Sequence, residues 1–229
     1  MIVTIFGSCR QVMPSEFIST SIQNNLTYPH YSKEVLQAIK FCKNLFDIPS
    51  IITKSIFRTG ILENKLLYSE DFIKEFNKTD IFIIEIASRI CYDYKGFYAH
   101  HIISEPSYNT GINDLDSLKI YDLTDEEIEK DIIEIKNLIY PKPLILCGHI
   151  YTRKYGKRYE LILLLKRLSN KYAIPFFDPV EQLAGIELSD AFNLQENVLA
   201  HFTDYGKKII SERYRHFILD IFSTNTPCQ

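Results

Sequence analysis

The residues best able to do chemistry stand near the start, where an apolar run, IVTIF, breaks into Gly7, Ser8, Cys9 and Arg10. A hydroxyl, a thiol and a fixed positive charge follow one another there. Gly7 permits a tight strand-to-helix turn, after which successive backbone N–H groups point together at the start of a helix. Such a point stabilises a developing oxyanion and lowers the pKa of a thiol placed on it. Cys9 beside Arg10 therefore suits a nucleophile, with His201 as the nearest candidate base. The plainer alternative makes Cys9 a small buried residue and Ser8 a helix cap.

Further reactive groups follow other segments that read as strands: Arg58 to Gly60, Ala87 to Arg89, Gly148 and His149, and Asp178. Functional loops of open parallel sheets sit at the carboxyl ends of the strands. If Arg10, Arg58 and Arg89 point into one cleft, they form a site for a phosphate, a carboxylate or an oxyanion. Local salt bridges are the alternative for each. Arg89 is expected to be the most functional of them, because a buried strand fixes its position. His149 either lines the pocket or is a hydrogen-bonded structural imidazole. His100 and His101 read as exposed loop residues able to contact substrate. Adjacent imidazoles make poor joint ligands, so no metal site is expected. His30 and Glu34, one helical turn apart, are expected to pair. Tyr92, Tyr94, Phe97 and Tyr98 can stack on sugar rings or pack beneath their loop.

The elements that must position these groups follow from periodicity. Residues 2–6 and Ile81 to Ile86 read as strands buried on both faces, and Pro143 to His149 and Ala173 to Pro179 as two more. A weak strand is expected at Ile51 to Thr53, with a turn at FRTG. Helices are expected from about Lys33 to Phe46 behind a Ser32 cap, over 70–77, from the TDEE capping box at Thr124, over Lys157 to Lys171, and from about Asp204 towards Phe222. Residues 91–120 show no period and read as a long active-site or lid loop. Strands alternating with helices predict an α/β fold, and 1–229 is expected to form a single domain.

The chain has 229 residues, of which 46% are hydrophobic and 24% charged, enough for a substantial core. A net charge of −3 gives no general attraction to nucleic acid or to anionic membranes. The expected partner is a small molecule or a glycan. There is no apolar window of membrane-spanning length and no basic segment before MIVTIF, so neither membrane insertion nor a secretory leader is expected. The five cysteines are odd in number and widely spaced. That suits reduced thiols in a cytoplasmic setting without structural zinc.

The order of these features resembles the SGNH/GDSL hydrolase superfamily. GSCR stands where that family has its nucleophile motif, the TG of FRTG where a glycine follows the second strand, and ASR after FIIEI where a polar oxyanion block follows the third. HFTDYGKKIISERY resembles the terminal block that carries the catalytic histidine. GSCR, HYSKEVLQ and FIIEIASR together resemble a bacterial Gly-Ser-Cys subgroup, similar to capsule-biosynthesis acyltransferase-like proteins. The resemblance implies a three-layer α/β/α sandwich around a mostly parallel, flavodoxin-like five-stranded sheet. It puts Cys9 at the nucleophile position, with Ser8 shaping the turn or serving in its place. His201 becomes the catalytic base, and the N–H groups at Cys9 and Gly60, helped by Ser88 or Arg89, hold the oxyanion. The family's asparagine is missing from the third block, and Val198 occupies the position of the usual acid. Asp178, Asp190, Glu196, Asp204 or a backbone carbonyl are left to orient His201.

The expectation is thus an enzyme that hydrolyses or transfers an acyl group, acetyl foremost, on a carbohydrate by a Cys/Ser–His mechanism. No cofactor is required, and acetyl-CoA is a candidate donor. The alternative is an inactive protein of the same fold that binds a glycan or nucleotide sugar. A nucleotide-binding Rossmann domain ranks below both, since no GxGxxG or Walker loop follows any strand.

Overall fold

A computed structural model describes residues 1–8, 10–12, 14–26, 28–108, 115–194 and 201–225. Its β-branched and aromatic runs form β1 (Ile2–Phe6), β2 (Ile18–Ser19), β3 (Ile81–Glu85), β4 (Ile90–Tyr94), β5 (Phe97–Tyr98), β6 (Leu118–Asp122), β7 (Leu144–Cys147) and β8 (Phe176–Phe177). Two short strands, β9 (Phe192–Asn193) and β10 (His201–Phe202), pair antiparallel late in the chain. The helices between β2 and β3 are α1 (Ser21–Leu26), α2 (Ser32–Cys42), α3 (Ser50–Ile56), α4 (Arg58–Glu63) and α5 (Glu70–Lys78). Later come α6 (Asp125–Ile139), α7 (Lys157–Tyr172), α8 (Leu188–Ala191) and α9 (Asp204–Asn225).

The main sheet has the order β2-β1-β3-β7-β8, with every neighbouring pair parallel. Counted by appearance within that sheet, the order is 2-1-3-4-5, the doubly wound flavodoxin-like arrangement. The direction of winding reverses between β1 and β3. A crevice opens at such a reversal beyond the carboxyl ends of the strands.

Alternation of side chains splits the core in two. Val3, Ile5, Ile81, Ile83, Ile145 and Cys147 face one layer, where α9 covers them with Ile210, Tyr214, Ile218 and Ile221. Phe6, Phe82, Ile84, Leu144 and Leu146 face the other, packed against α2, α6 and α7 among others. The α/β class and the layered parallel sheet are therefore as expected. Helix α6 begins with the anticipated capping box, Thr124 and Glu127 bonding reciprocally.

The local differences have identifiable causes. Ile51 to Thr53 lies in helix α3, not in a strand. Thr53 Oγ1 bonds back to the Ser50 carbonyl and also accepts the Leu67 N–H, contacts that a strand would not make. FRTG is no turn, since Arg58 opens α4 directly. The sheet's second strand is instead Ile18–Ser19, too short to carry a period. Within 91–120, β4 pairs antiparallel with both β5 and β6 in a second sheet of order β5-β4-β6. Tyr, Ile and Cys in ICYDY and LKIYD supply its strand preference. Among the described residues, no helix is long and apolar enough to cross a membrane.

Candidate active site

Gly7 ends β1 where only a glycine fits. A Cβ there would lie 2.9 Å from both Cβ and Oε2 of Glu85, the last residue of β3. That close approach lets the Ser8 N–H donate to Glu85 Oε2 at 2.6 Å, while Ser8 Oγ donates to Oε1 at 3.1 Å. The same hydroxyl accepts the Arg10 N–H at 3.3 Å, so Ser8 shapes the turn. Its side chain is buried and committed to a carboxylate, not to an imidazole. Cys9, the foremost expected nucleophile, lies outside the described residues.

Beyond β7, His149 reaches the same carboxylate. Its Nδ1 lies 2.5 Å from Glu85 Oε1, with both side chains buried. Burial alone would raise the Glu85 pKa. Hydrogen bonds from His149, the Ser8 amide and Gln11 overcome it and bring the carboxyl down to about 2. Burial lowers the His149 pKa, as do Arg158 and Arg10, and the partial compensation from Glu85 does not restore it. An ionised Glu85 facing Nδ1 makes that nitrogen the N–H, which leaves the lone pair on Nε2. His149 Nε2 is buried and has no hydrogen-bond partner among the described residues.

A cleft of about 490 Å³ opens over this pair at the strand ends. His149 lines it, as do Arg10, Arg58, Ser88 and His201, all singled out in the sequence. His201 sits in β10; burial, then Arg10, His149 and Lys207, lower its pKa. Arg58 lies over the Tyr28 ring, 4.8 Å from its centroid. Ser88 Oγ accepts the Ile90 N–H, and the Ser88 N–H is taken by the His30 carbonyl.

Other expected site residues lie elsewhere. Arg89 pairs with Asp125 at 2.7 Å and donates to the Leu123 carbonyl, so it ties β4 to α6 and does not line the cleft. Gly60 lies inside α4, where a Cβ would come within 2.5 Å of Lys54 Cα. Its role is close packing against α3, and it too is absent from the cleft wall. Asp178 spends its carboxylate on Lys166, at 2.9 Å, and on the Val180 N–H. Asp204 is exposed and pairs with Lys207. Asp190 lies in α8, where its carbonyl accepts from Thr203. Glu196 and Val198 lie outside the described residues. The buried carboxylate that meets a buried cleft imidazole is Glu85, and the imidazole is His149.

Sequence reasoning missed Glu85 and Arg158. The first left a signal, since a carboxylate in an otherwise apolar buried strand must find partners. Arg158 comes from the first turn of α7 and also lines the cleft. His100 is buried, not exposed, and His30 meets Glu34 through its backbone N–H.

Comparison with known proteins adds a context. Residues 1–109 match the family model described as the TviD N-terminal domain. The whole chain is 23% identical to the Vi polysaccharide biosynthesis protein TviD of Salmonella typhi, over 94% of this chain and 31% of that protein. The chain therefore spans about a third of the length of the curated relative it matches. Among solved structures, it is similar to a GDSL-like lipase from Bacteroides thetaiotaomicron, with 12% identity, a TM-score of 0.48, and coverage of 96% and 88% of the two chains. A salicylyl-acyltransferase from a tetracycline biosynthetic pathway gives 8% identity, a TM-score of 0.47, and coverage of 96% and 55%. The resemblance read from the sequence to capsule-biosynthesis proteins meets a relative named for polysaccharide biosynthesis here.

Proposed function

We propose that the protein breaks or transfers an acyl ester on a carbohydrate, with Cys9 as nucleophile and His149 as base. The observation that carries this reading is the Glu85–His149 pair: the histidine lines the cleft, and its Nε2 has no hydrogen-bond partner among the described residues. A base oriented by a buried carboxylate is the arrangement nucleophilic acyl transfer needs. In the sequence Cys9 follows Ser8, which is bonded to that carboxylate, and precedes Arg10, which lines the cleft.

In this reaction His149 Nε2 takes the Cys9 proton and the sulfur attacks the acyl carbonyl. The ester C–O bond then breaks, and the imidazolium returns the proton to the leaving oxygen. Water or a sugar hydroxyl then attacks the thioester, which restores the thiol. With acetyl-CoA as donor, a C–S bond breaks instead. Arg10 and Arg158 place positive charge beside His149, as their depression of its pKa reflects, where the oxyanion develops. His201, on the same wall, is the second candidate base.

One observation favours a binding role instead: the Ser8 hydroxyl is bound to Glu85 and so is not poised against an imidazole. The test is the intact mass after brief exposure to p-nitrophenyl acetate. We expect one acetyl adduct on the wild type and none on Cys9→Ala. An adduct that survives in the variant places the nucleophile elsewhere, and no adduct with no turnover favours the binding protein.

A further inference from the structure

The wall of the cleft also holds a cluster of imidazoles that the acyl reading does not use. His30 precedes α2, and its carbonyl accepts the N–H groups of Ala87 and Ser88, which fixes it to the end of β3. His100 and His101 come from the turn after β5. The His100 N–H donates to the Ile56 carbonyl, and its ring caps the single 3-10 turn that follows, through Nδ1 and the Ile102 N–H. That turn swings the two adjacent rings together, with centroids 4.3 Å apart, and the His30 ring lies 4.4 Å from His101 and 5.0 Å from His100.

We infer that His30, His100 and His101 form a three-nitrogen site for a divalent transition metal ion, zinc by ligand chemistry. One ligating atom from each lies within 4.8 Å of the other two. The nearest pair, the Nδ1 atoms of His30 and His101, is 3.0 Å apart. A tetrahedral zinc with Zn–N bonds of about 2.05 Å needs nitrogens about 3.3 Å apart. Ligation would bring separations of up to 4.8 Å to that spacing, and the ring that donates across the His30–His101 pair would change tautomer.

His100 Nε2 is buried, and because Nδ1 accepts the Ile102 N–H, ligation through Nε2 moves the ring proton to Nδ1 and gives up that cap. His101 Nε2 lies 3.6 Å from Glu105 Oε1, the carboxylate behind an imidazole that typically supports a metal ligand. The objection that adjacent histidines ligate poorly together fails here, because His30 arrives from seventy residues away to complete the set.

Charge sets the fourth ligand. Arg58 and Arg158 act on these rings and oppose a bare dication, so the open position calls for an anionic oxygen, hydroxide or the carboxylate of a cleft ligand. The site is independent of the acyl reading, and its test needs no activity. Protein stripped with EDTA is titrated with cobalt(II) by absorbance and with zinc(II) by calorimetry. We expect one equivalent bound, with the visible spectrum of four-coordinate cobalt. His30→Ala and His101→Ala should each weaken binding by more than about tenfold, and Glu105→Gln by roughly tenfold. His216→Ala, exposed on α9, should bind as the wild type does. Circular dichroism checks each variant. If a ring variant unfolds, Glu105→Gln decides, its carboxylate being half exposed. Absence of one-to-one binding in the wild type overturns the site, as does wild-type affinity in the folded ring variants or in Glu105→Gln.

Discussion

Glu85 is a carboxylate closing a strand that is otherwise apolar, and four hydrogen-bonding groups keep it ionised. Its partner His149 is neutral, with a pKa below the ordinary 6.5. An unfolded histidine takes a proton as pH falls through 6.5, whereas the native one does not. The folded state then binds fewer protons, and stability falls on acidification. Glu85 adds to the loss lower down, between its ordinary 4.5 and about 2. We expect the melting temperature to drop steadily from pH 7 to pH 4, and the acylation rate to hold down to about pH 6.5 and fall only below it. A rate that already halves above pH 6.5 would remove His149 from the base role.

At the scale of elements, Gly60 decides how α4 leaves α3. A methyl group there meets the Lys54 backbone at 2.5 Å and the Thr53 carbonyl at 2.6 Å, neither of which yields as a side chain would. Gly60→Ala should therefore cost about 1–3 kcal/mol in urea unfolding, and a change inside 0.5 kcal/mol would show that the corner is soft. The sequence hid this role because glycine in FRTG reads equally well as a turn. It hid the second sheet for a related reason: ICYDY and LKIYD interleave polar residues with apolar ones around a stretch rich in Gly, His and Pro. Long regular elements were legible, since β1, β3, β7, α6, α7 and α9 each carry a sustained period or a cap. Arg10, Ser88 and His149 were legible because they follow clear strands, and they share one cleft with Arg58 and His201, which the fold brings there by other routes. Which groups pair within it was not, because Glu85, Arg158 and His30 arrive by tertiary packing.

Across the whole molecule the two faces of the sheet are unequally covered. Several helices shield one, whereas α9 is the long helix over the other. Tyr214 stacks on Phe177 at 3.7 Å between centroids, and its hydroxyl donates to Gln11, which in turn bonds Glu85. A chain cut before Asp204 exposes Val3, Ile5, Ile81, Ile83 and Ile145 together. We expect it to lose cooperative unfolding and to bind a hydrophobic dye, and a sharp native-like melt from that fragment would contradict this account of the core.

The carboxylate that joins Ser8 to His149 spans partners 77 and 64 residues away along the chain. Closing loops of that length costs entropy that returns only when the strands between them have paired. The Glu85–His149 pair therefore has no local precursor. A growing polypeptide carries all of β1 and β3 without it, and the His149 ring meets Glu85 only after β7 has emerged and docked beside β3. The outermost strand, β8, comes later still, so a chain halted before β7 holds three strands of the sheet and not the pair.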